Sequence, residues 1–526
     1  MNERAGDQHG GRGWSERRGS GGQGRRDERR DERRGHGRGD RGHRGPRRYS
    51  AQAQSQRSRS ADPARSAAYH VLRAVAAGAY ANLELPKALR DGRVHGRDAA
   101  FATELTYGTL RMQGLYDAII SAAADRPAAR IDGHLLDVLR LGTHQLLGMR
   151  VAAHAAADQT VGLARNVAGQ GAAGLTNAVM RRISEHSLDE WIAQVAPDDL
   201  APIKRLALVH SHPEWVVKAL RQGLLGHGAA TPETIDAELE ALLAADNAPA
   251  RVALVARPGL AEMAELEDAG AERSTLSPVG AHWPQGDPGS IAAVRQGRAA
   301  VQDEGSQLLA LALAAVPVET DGPQRWLDLC AGPGGKAGLL AALAVQEGAD
   351  LVANEVSEHR TELVRQTLAP AIAAAEASGR TIEVRTGDGR EVGEDEPERY
   401  TRVLVDAPCT GLGALRRRPE ARWRRQPSDL GELGPLQRDL LASAIDATAP
   451  GGVIAYATCS PHLSETTFVV SDVLKKRDDV EQIDARPFLR DAAGEVVADT
   501  GDGPAVQLWP HRHGTDGMYV ALLRKR

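Results

Sequence analysis

The sequence predicts a doubly wound α/β domain, preceded by an all-helical domain and a disordered basic tail. Three observations predict this order: an Arg- and Gly-rich start, apolar residues at helical spacing after Ala64, and short apolar runs alternating with helical stretches from about Gln324. R-V-A-L-V-A at 251–256 predicts a strand between the two domains. We place the tail at 1–62, the helical domain at 63–188, a connecting α+β region at 189–310 and the α/β domain at 311–526.

The tail carries a charge opposite to that of the remaining chain. Residues 1–60 contain 17 Arg and 8 acidic residues, whereas the whole chain has a net charge of −5. A segment such as R-R-D-E-R-R-D-E-R-R-G-H-G-R-G cannot bury enough apolar surface to fold. Two interpretations stay open: non-specific contact with RNA phosphates, or a solvated extension without a role of its own.

Cysteine usage and hydropathy predict a cytoplasmic protein. The three cysteines, Cys330, Cys409 and Cys459, are too few and odd in number for a disulfide framework. No N-terminal segment resembles a signal peptide, and no apolar stretch is long enough to span a membrane. His210 and His212 lack further spaced ligands, so no metal site is predicted.

The sequence motifs of the helical domain say more about its function than its hydrophobic periodicity does. Leu135, Leu139 and Leu146 recur at the spacing of a buried helix stripe, which by itself predicts only a packing module. R-D-A-A-F-A-T-E-L-T-Y-G-T-L-R, H-Q-L-L-G-M and N-A-V-M-R-R, however, resemble the NusB-like RNA-binding domain. This resemblance implies an accessory domain that contacts RNA and contributes no catalytic residue.

In the α/β domain, every unusual residue lies at a strand end, where ligands bind in doubly wound sheets. The first strand runs into a turn whose glycines let the backbone approach a ligand, and the following helix offers free N–H groups. Glu355 ends the second strand and suits ribose hydroxyls, and Asp388 follows the third, where an adenine amino group could bind. Together they predict an adenosine-type ligand at the turn formed by Cys330, Ala331, Gly332, Pro333, Gly334, Gly335 and Lys336.

Two cysteines follow neighbouring strands, in D-A-P-C-T-G and in A-T-C-S-P. A cysteine in an α/β protein is usually a small buried hydrophobe, which suits Cys330 but not the turn-flanked Cys409 and Cys459. Carbon 5 of cytosine is too weak a nucleophile to take a methyl group unaided. Attack of a thiolate on carbon 6 produces an enamine that can accept one, and a second thiol could then remove the carbon 5 proton.

The two cysteine motifs, together with D-L-C-A-G-P-G-G-K, Q-D-E-G-S-Q and D-G-M-Y-V-A, resemble those of the RNA cytosine-C5 methyltransferases of the bacterial RsmB (Sun/Fmu) type. The resemblance covers nearly all of the chain after Ala64 and implies a Rossmann-like methyltransferase domain that acts on small-subunit (16S) ribosomal RNA. It implies that Cys459 is the nucleophile and that Cys409 assists release. S-adenosylmethionine would be bound by residues 330–336 with Glu355, Asp388 and Asp406. Gly332 departs from the alanine usual in the family, which a tight loop should tolerate.

A basic cluster follows the Cys409 loop in R-R-R-P-E-A-R-W-R. We interpret it as a phosphate-contacting lip at which RNA enters, with an aromatic ring available for stacking. An exposed, charged helix is the alternative. The predicted contacts are Arg416, Arg417, Arg418, Arg422 and Trp423.

Three other functions remain open at this point. A transfer RNA could be the substrate instead of ribosomal RNA. A DNA cytosine-C5 methyltransferase would share the thiolate chemistry but would need only the Pro-Cys of the fourth strand. A non-catalytic RNA-binding scaffold would explain the helical domain but not the retention of both cysteines and the glycine-rich turn.

Overall fold

The computed structural model describes residues 62–320 and 322–526, so the predicted disordered tail lies almost entirely outside the described residues. An all-helical part comes first, and Asp62 caps its first helix by accepting a hydrogen bond from the Arg65 amide. Its helices are α1 (Pro63–Ala76), α2 (Ala81–Asp91), α3 (Gly96–Arg111), α4 (Gln113–Ala123), α5 (Gly133–Leu147), α6 (Ala153–Ala168), α7 (Ala172–Ser184) and α8 (Leu188–Val195).

One apolar core holds these helices together. Leu135 and Leu139 of the predicted α5 stripe are buried in it and Leu146 is half-buried, and Ile119 and Met180 pack against the same core from α4 and α7. Trp191 of α8 joins the core, and its indole N–H donates to the carbonyl of Ile183. Burying an aromatic residue of this size stabilises the association of α8 with the preceding helices.

A second helical group and a small sheet connect this part to the α/β domain. The helices are α9 (Pro202–Val209), α10 (Glu214–Gly226) and α11 (Ile235–Asn247). The sheet is antiparallel in the order β2-β3-β1-β4, which agrees with the predicted strand at 251–256. Its elements are β1 (Val252–Ala256), α12 (Met263–Asp268), β2 (Glu272–Arg273), β3 (Gly280–Trp283), α13 (Ala292–Arg295) and β4 (Ala299–Val301).

The α/β domain is built on a mixed sheet in the order β10-β12-β9-β8-β5-β6-β7, with β11 paired to β12. Its strands are β5 (Arg325–Asp328), β6 (Asp350–Glu355), β7 (Ile382–Thr386), β8 (Tyr400–Asp406), β9 (Thr448–Thr458), β10 (Val480–Ile483), β11 (Val506–Gln507) and β12 (Tyr519–Lys525). Strands β5 to β9 are parallel, whereas β12 and β10 run antiparallel at one end.

Helices cover both faces of this sheet, as the doubly wound prediction requires. Trp326 of β5 packs against α14 (Glu304–Ala315), α15 (Gly335–Gln346) and α16 (Glu358–Ala377). Its neighbour Leu327 points to the other face, against α19 (Asp429–Ala447) and α20 (Thr467–Leu474). Short helices α17 (Val392–Asp395), α18 (Ala421–Arg424) and α21 (Pro510–His513) complete the domain. Within the described ranges, no helix has the length and apolar character needed to cross a membrane.

The strand order determines where a ligand can bind. The chain builds β5, β6 and β7 outward in one direction and then returns to place β8 on the other side of β5. The loops that follow β5 and β8 therefore diverge and leave a crevice beyond the carboxyl ends of the strands. Since β9 lies next to β8, the glycine-rich turn and both predicted cysteine loops border this one crevice.

Candidate active site

The two predicted cysteines lie side by side at the carboxyl end of the sheet. In the parallel pair β8–β9, Asp406 is in register with Ala457, so the loops that follow begin at the same level. Cys409 and Cys459 occupy these loops, and their Sγ atoms are 3.4 Å apart. Two residues 50 positions apart in the chain thus form one thiol pair.

An ion pair lies next to the thiols. Lys336, at the start of α15, donates from Nζ to Oδ2 of Asp406 at 2.9 Å, and its side chain is largely buried. A hydrogen bond from Cys409 and the positive charge of Lys336 together lower the pKa of Cys459. The same hydrogen bond, burial and the negative charge of Glu465 raise the pKa of Cys409. The pair is therefore polarised, with Cys459 favoured as the thiolate and Cys409 as the protonated thiol.

The glycine-rich turn is held against the end of β6. Ala331 donates its amide to the carbonyl of Asn354 at 2.8 Å, and Gly332 donates to Oε2 of Glu355 at 3.0 Å. Gly334 has a φ of 112°, a conformation that glycine adopts without strain. A Cβ added at Gly335 would meet no atom within 4 Å, so the backbone at the head of α15 is open to a ligand.

Glu355 is buried and folded back onto this turn. Besides the Gly332 amide, its carboxylate accepts a hydrogen bond from the Ser357 amide and forms an ion pair with Arg360. A Cβ at position 332 would lie only 2.2 Å from Oε2 of Glu355. An alanine at position 332 is therefore compatible with this loop only if the Glu355 carboxylate turns away.

The other predicted cofactor residues differ in their surroundings. Asp388 is partly exposed after β7, and its carboxylate is held by Arg390 at 2.6 Å. The thiol of Cys330 packs against the apolar layer beneath the sheet, where burial raises its pKa, so its side chain behaves as the small hydrophobe that its sequence context also allows.

The prediction that Arg422 contacts RNA phosphates at the surface is wrong. This residue is completely buried, and its guanidinium donates to Oδ1 of Asn247 at 2.8 Å and to the carbonyls of Ser211 and Asp246. Burial lowers its pKa to about 10. The acceptors lie about 175 to 210 positions earlier in the chain, so charge density alone could not distinguish an interior anchor from an exposed RNA contact.

The rest of the cluster is divided between interior and surface. Trp423 is packed against α4, where a Cβ at Gly114 would meet its ring at 2.5 Å, so this ring is not a free stacking platform. Arg416 donates to the carbonyl of Gly514 at 2.7 Å, and Arg417 forms a bidentate ion pair with the buried Asp516. Arg418 is exposed and lies over the ring of Tyr80.

Sequence reasoning missed three buried acids around the site. Asp328 ends β5, and burial together with the charge of Asp406 raises its pKa to about 8. Asp516 belongs to the D-G-M-Y-V-A motif, but nothing in that motif marks it as a site residue. Glu465 follows the A-T-C-S-P motif, and no spacing pattern marks it either. Within residues 62–320 and 322–526, no group of three or more His, Cys, Asp or Glu could hold a metal ion.

Comparison with known proteins identifies the class and then the family. The strand order and the glycine-rich turn define a Rossmann-like methyltransferase domain, and residues 313–524 match the family described as 16S rRNA methyltransferase RsmB/F. Residues 62–185 match the NusB family. A Mycobacterium tuberculosis protein named as a methyltransferase is 51% identical over 487 residues, covering 92% of this chain and 98% of the relative.

The ribosomal RNA small subunit methyltransferase B of Pseudomonas syringae is 32% identical over 470 residues, covering 88% of this chain and 96% of the relative. The chain therefore belongs to the RsmB/F methyltransferase family and carries an N-terminal NusB-like domain, which confirms the resemblance drawn from the sequence. The crystal structure of PH0851, 22% identical, superposes with a TM-score of 0.70 over 89% of this chain and 99% of its own, and shows the same fold.

Proposed function

We propose that this protein transfers a methyl group from S-adenosylmethionine to carbon 5 of a cytosine in RNA, through a covalent bond between Cys459 and carbon 6. The observation that carries the proposal is the polarised thiol pair, with 3.4 Å between the two Sγ atoms and the Lys336 ammonium beside them. A thiolate is the nucleophile that this chemistry needs, and the lowered pKa of Cys459 favours the thiolate at that position.

The residues of the turn fit an adenosine cofactor. The backbone at Gly335 is open, and Glu355 stands at the end of the adjacent strand, where its carboxylate can accept hydrogen bonds from two ribose hydroxyls once it turns away from the Gly332 amide. Val356, next to it, is 62% exposed and offers an apolar surface to a purine face. The bound cofactor supplies an electrophilic methyl group. The remaining chemistry belongs to the protein.

The thiol pair supports a balanced sequence of steps. The Cys459 thiolate forms a bond to carbon 6, and carbon 5 of the resulting enamine would take the methyl group, while the sulfur of the methyl donor would keep the bonding electron pair and leave as a thioether. A base then removes the proton from carbon 5, the bond between carbon 6 and sulfur breaks, and the Cys459 thiolate returns. Cys409, held as a thiol at contact distance, is placed to accept or relay that proton once it has lost its own to solvent or to a neighbouring group.

Small-subunit ribosomal RNA is the proposed substrate. Full-length relatives carry the name ribosomal RNA small subunit methyltransferase B, and they align over both the helical and the α/β parts of this chain. A ribosomal substrate implies action in the cytoplasm. Transfer RNA is the second candidate. A DNA cytosine enzyme with a single catalytic thiol leaves Cys459 unexplained, and a non-catalytic scaffold leaves the whole pair unexplained.

Bisulfite sequencing of RNA from cells that lack the protein tests this proposal. One 5-methylcytosine of 16S ribosomal RNA should disappear in the deletion strain, return with the wild-type gene, and stay absent with Cys459→Ala. Loss of a transfer RNA methylation instead would establish the second candidate. Unchanged methylation in both RNA classes would refute the proposal.

A further inference from the structure

Glu465 connects the loops of the two cysteines. Its side chain is completely buried and lies between the residues that directly follow each thiol. Oε1 accepts a hydrogen bond from the Thr410 amide at 2.7 Å. Oε2 accepts hydrogen bonds from the Thr410 hydroxyl at 2.5 Å and from the Ser460 hydroxyl at 2.6 Å. Gln437 adds a fourth donor to Oε1 at 3.3 Å.

This geometry suits an acceptor with two equivalent oxygens. The Thr410 amide can only donate, and Gln437 faces Glu465 with its NH2 group, which also donates to the carbonyl of Pro408. An ionised carboxylate is a side chain that accepts on both sides. Hydrogen bonds to an ionised group are roughly twice as strong as neutral ones, and burial makes breaking them costly. The Glu465 carboxylate therefore ties the Cys409 loop to the Cys459 loop at one point.

We infer that Glu465 is a positioning residue that sets the separation of the two thiols and places a negative charge next to Cys409. The inference rests on the proposed function for the meaning of that separation. The charge supports it, because the negative carboxylate is among the causes that raise the pKa of Cys409, while Lys336 and Cys409 itself lower that of Cys459. Glu465 and Lys336 thus act in opposite directions on the two members of the pair.

Glu465→Gln separates this role from simple support of the fold. The new amide must face the two hydroxyls, since the opposite side is occupied by N–H donors, and hydroxyls can rotate to accept. The variant should therefore fold with one set of hydrogen bonds intact but without the negative charge. Asp137→Asn is the matched control, because Asp137 is also a buried acid, paired with Arg73 and Arg140 in the helical domain.

Peptide-resolved alkylation of the full chain with iodoacetamide, followed over pH, measures each thiol separately. In Glu465→Gln, the alkylation of Cys409 should move to lower pH, because removal of the charge lowers the pKa of Cys409. Single-turnover methylation should fall about 10- to 100-fold, the loss typical of small displacements of reacting groups. Asp137→Asn should leave both quantities unchanged, even if its melting temperature falls.

The alkylation profile needs no RNA, so it distinguishes failure of this inference from failure of the proposed function. A Cys409 profile identical to wild type would overturn the inference, and so would an equal shift in Asp137→Asn. If Glu465→Gln does not fold, Ser460→Ala removes the hydrogen bond from the Cys459 loop to Glu465, together with the contacts of the Ser460 hydroxyl with the Thr410 hydroxyl and the His462 amide, and it leaves the hydrogen bonds from Thr410 to Glu465 in place. It should slow methyl transfer severalfold while the chain stays folded, and full activity in that variant would equally refute the inference.

Discussion

Replacing Cys409 by alanine should slow the proposed attack on cytosine and trap the covalent protein–RNA intermediate. The Cys409 Sγ lies 3.4 Å from the Cys459 Sγ, and its hydrogen bond is the largest of the causes that lower the pKa of Cys459. Removing the donor therefore raises the pKa of Cys459. The Lys336 ammonium, which acts in the same direction as the lost donor, remains in place.

The expected increase in the pKa of Cys459 follows from the strength of the hydrogen bond that the Cys409 thiol donates. Hydrogen bonds to charged groups contribute about 1.5–3 kcal/mol, and a weak S–H donor belongs at the lower end of that range. About 1.5 kcal/mol corresponds to roughly a tenfold smaller thiolate population at pH values below the pKa of Cys459. In the wild type, attack is lost only as the pH falls through the lowered pKa of Cys459, whereas in Cys409→Ala this loss begins at a higher pH. Raising the pH should restore the rate.

The second consequence concerns release. If Cys409 assists removal of the carbon 5 proton, Cys409→Ala should attack and transfer the methyl group but stall before elimination. Denaturing electrophoresis with labelled RNA and S-adenosylmethionine should then show a covalent protein–RNA adduct that forms faster at higher pH. Cys459→Ala should show no adduct. A stable adduct with Cys459→Ala but none with Cys409→Ala would show that the two roles are exchanged, and a pH-independent rate would refute the thiolate argument.

Three further predictions concern the surroundings of the thiols. Glu355→Ala should weaken S-adenosylmethionine binding by about 1.5–3 kcal/mol, because charge-assisted hydrogen bonds are lost, and unchanged affinity in calorimetry would contradict the assignment. Gly413→Ala should abolish methyl transfer, since its Cβ would lie 2.0 Å from the Gly517 carbonyl oxygen. Gly431→Ala is the control, because a Cβ at Gly431 meets no atom within 4 Å. An active Gly413→Ala variant would refute the packing argument. Arg422→Met should lower the free energy of unfolding by at least about 3 kcal/mol in denaturant titration, because several buried acceptors lose a donor at about 1–3 kcal/mol each. Arg418→Met, at an exposed position, should lower it by less than about 0.5 kcal/mol.

Local chemistry explains why the α/β domain and its loops could be predicted. Short apolar runs bounded by turn residues predict strands, and parallel strands bring their carboxyl ends to one edge of the sheet. The juxtaposition of Cys409 and Cys459 follows from those two facts and from the pairing of β8 with β9. The antiparallel β10 and β12 escaped prediction, because their place in the sheet depends on pairing with distant strands rather than on local pattern.

The basic cluster shows where such reasoning stops. Arg418 and Arg422 are alike in the sequence, yet one is exposed and the other is completely buried. A guanidinium can be buried only where acceptors surround it, and those acceptors come from Asn247, Asp246 and Ser211, far along the chain. No local pattern records that arrangement.

The sequence by itself determined the family, the sheet with its glycine-rich turn, and the two cysteines at neighbouring strand ends, because these depend on residue type and short spacing. The tertiary structure alone decided the direction in which the pKa of each thiol is shifted and which arginines face solvent. It also brought Glu465 between the two cysteine loops. The physical reason is that pKa shifts and burial are set by groups within a few ångströms in space, and folding collects those groups from remote parts of the chain.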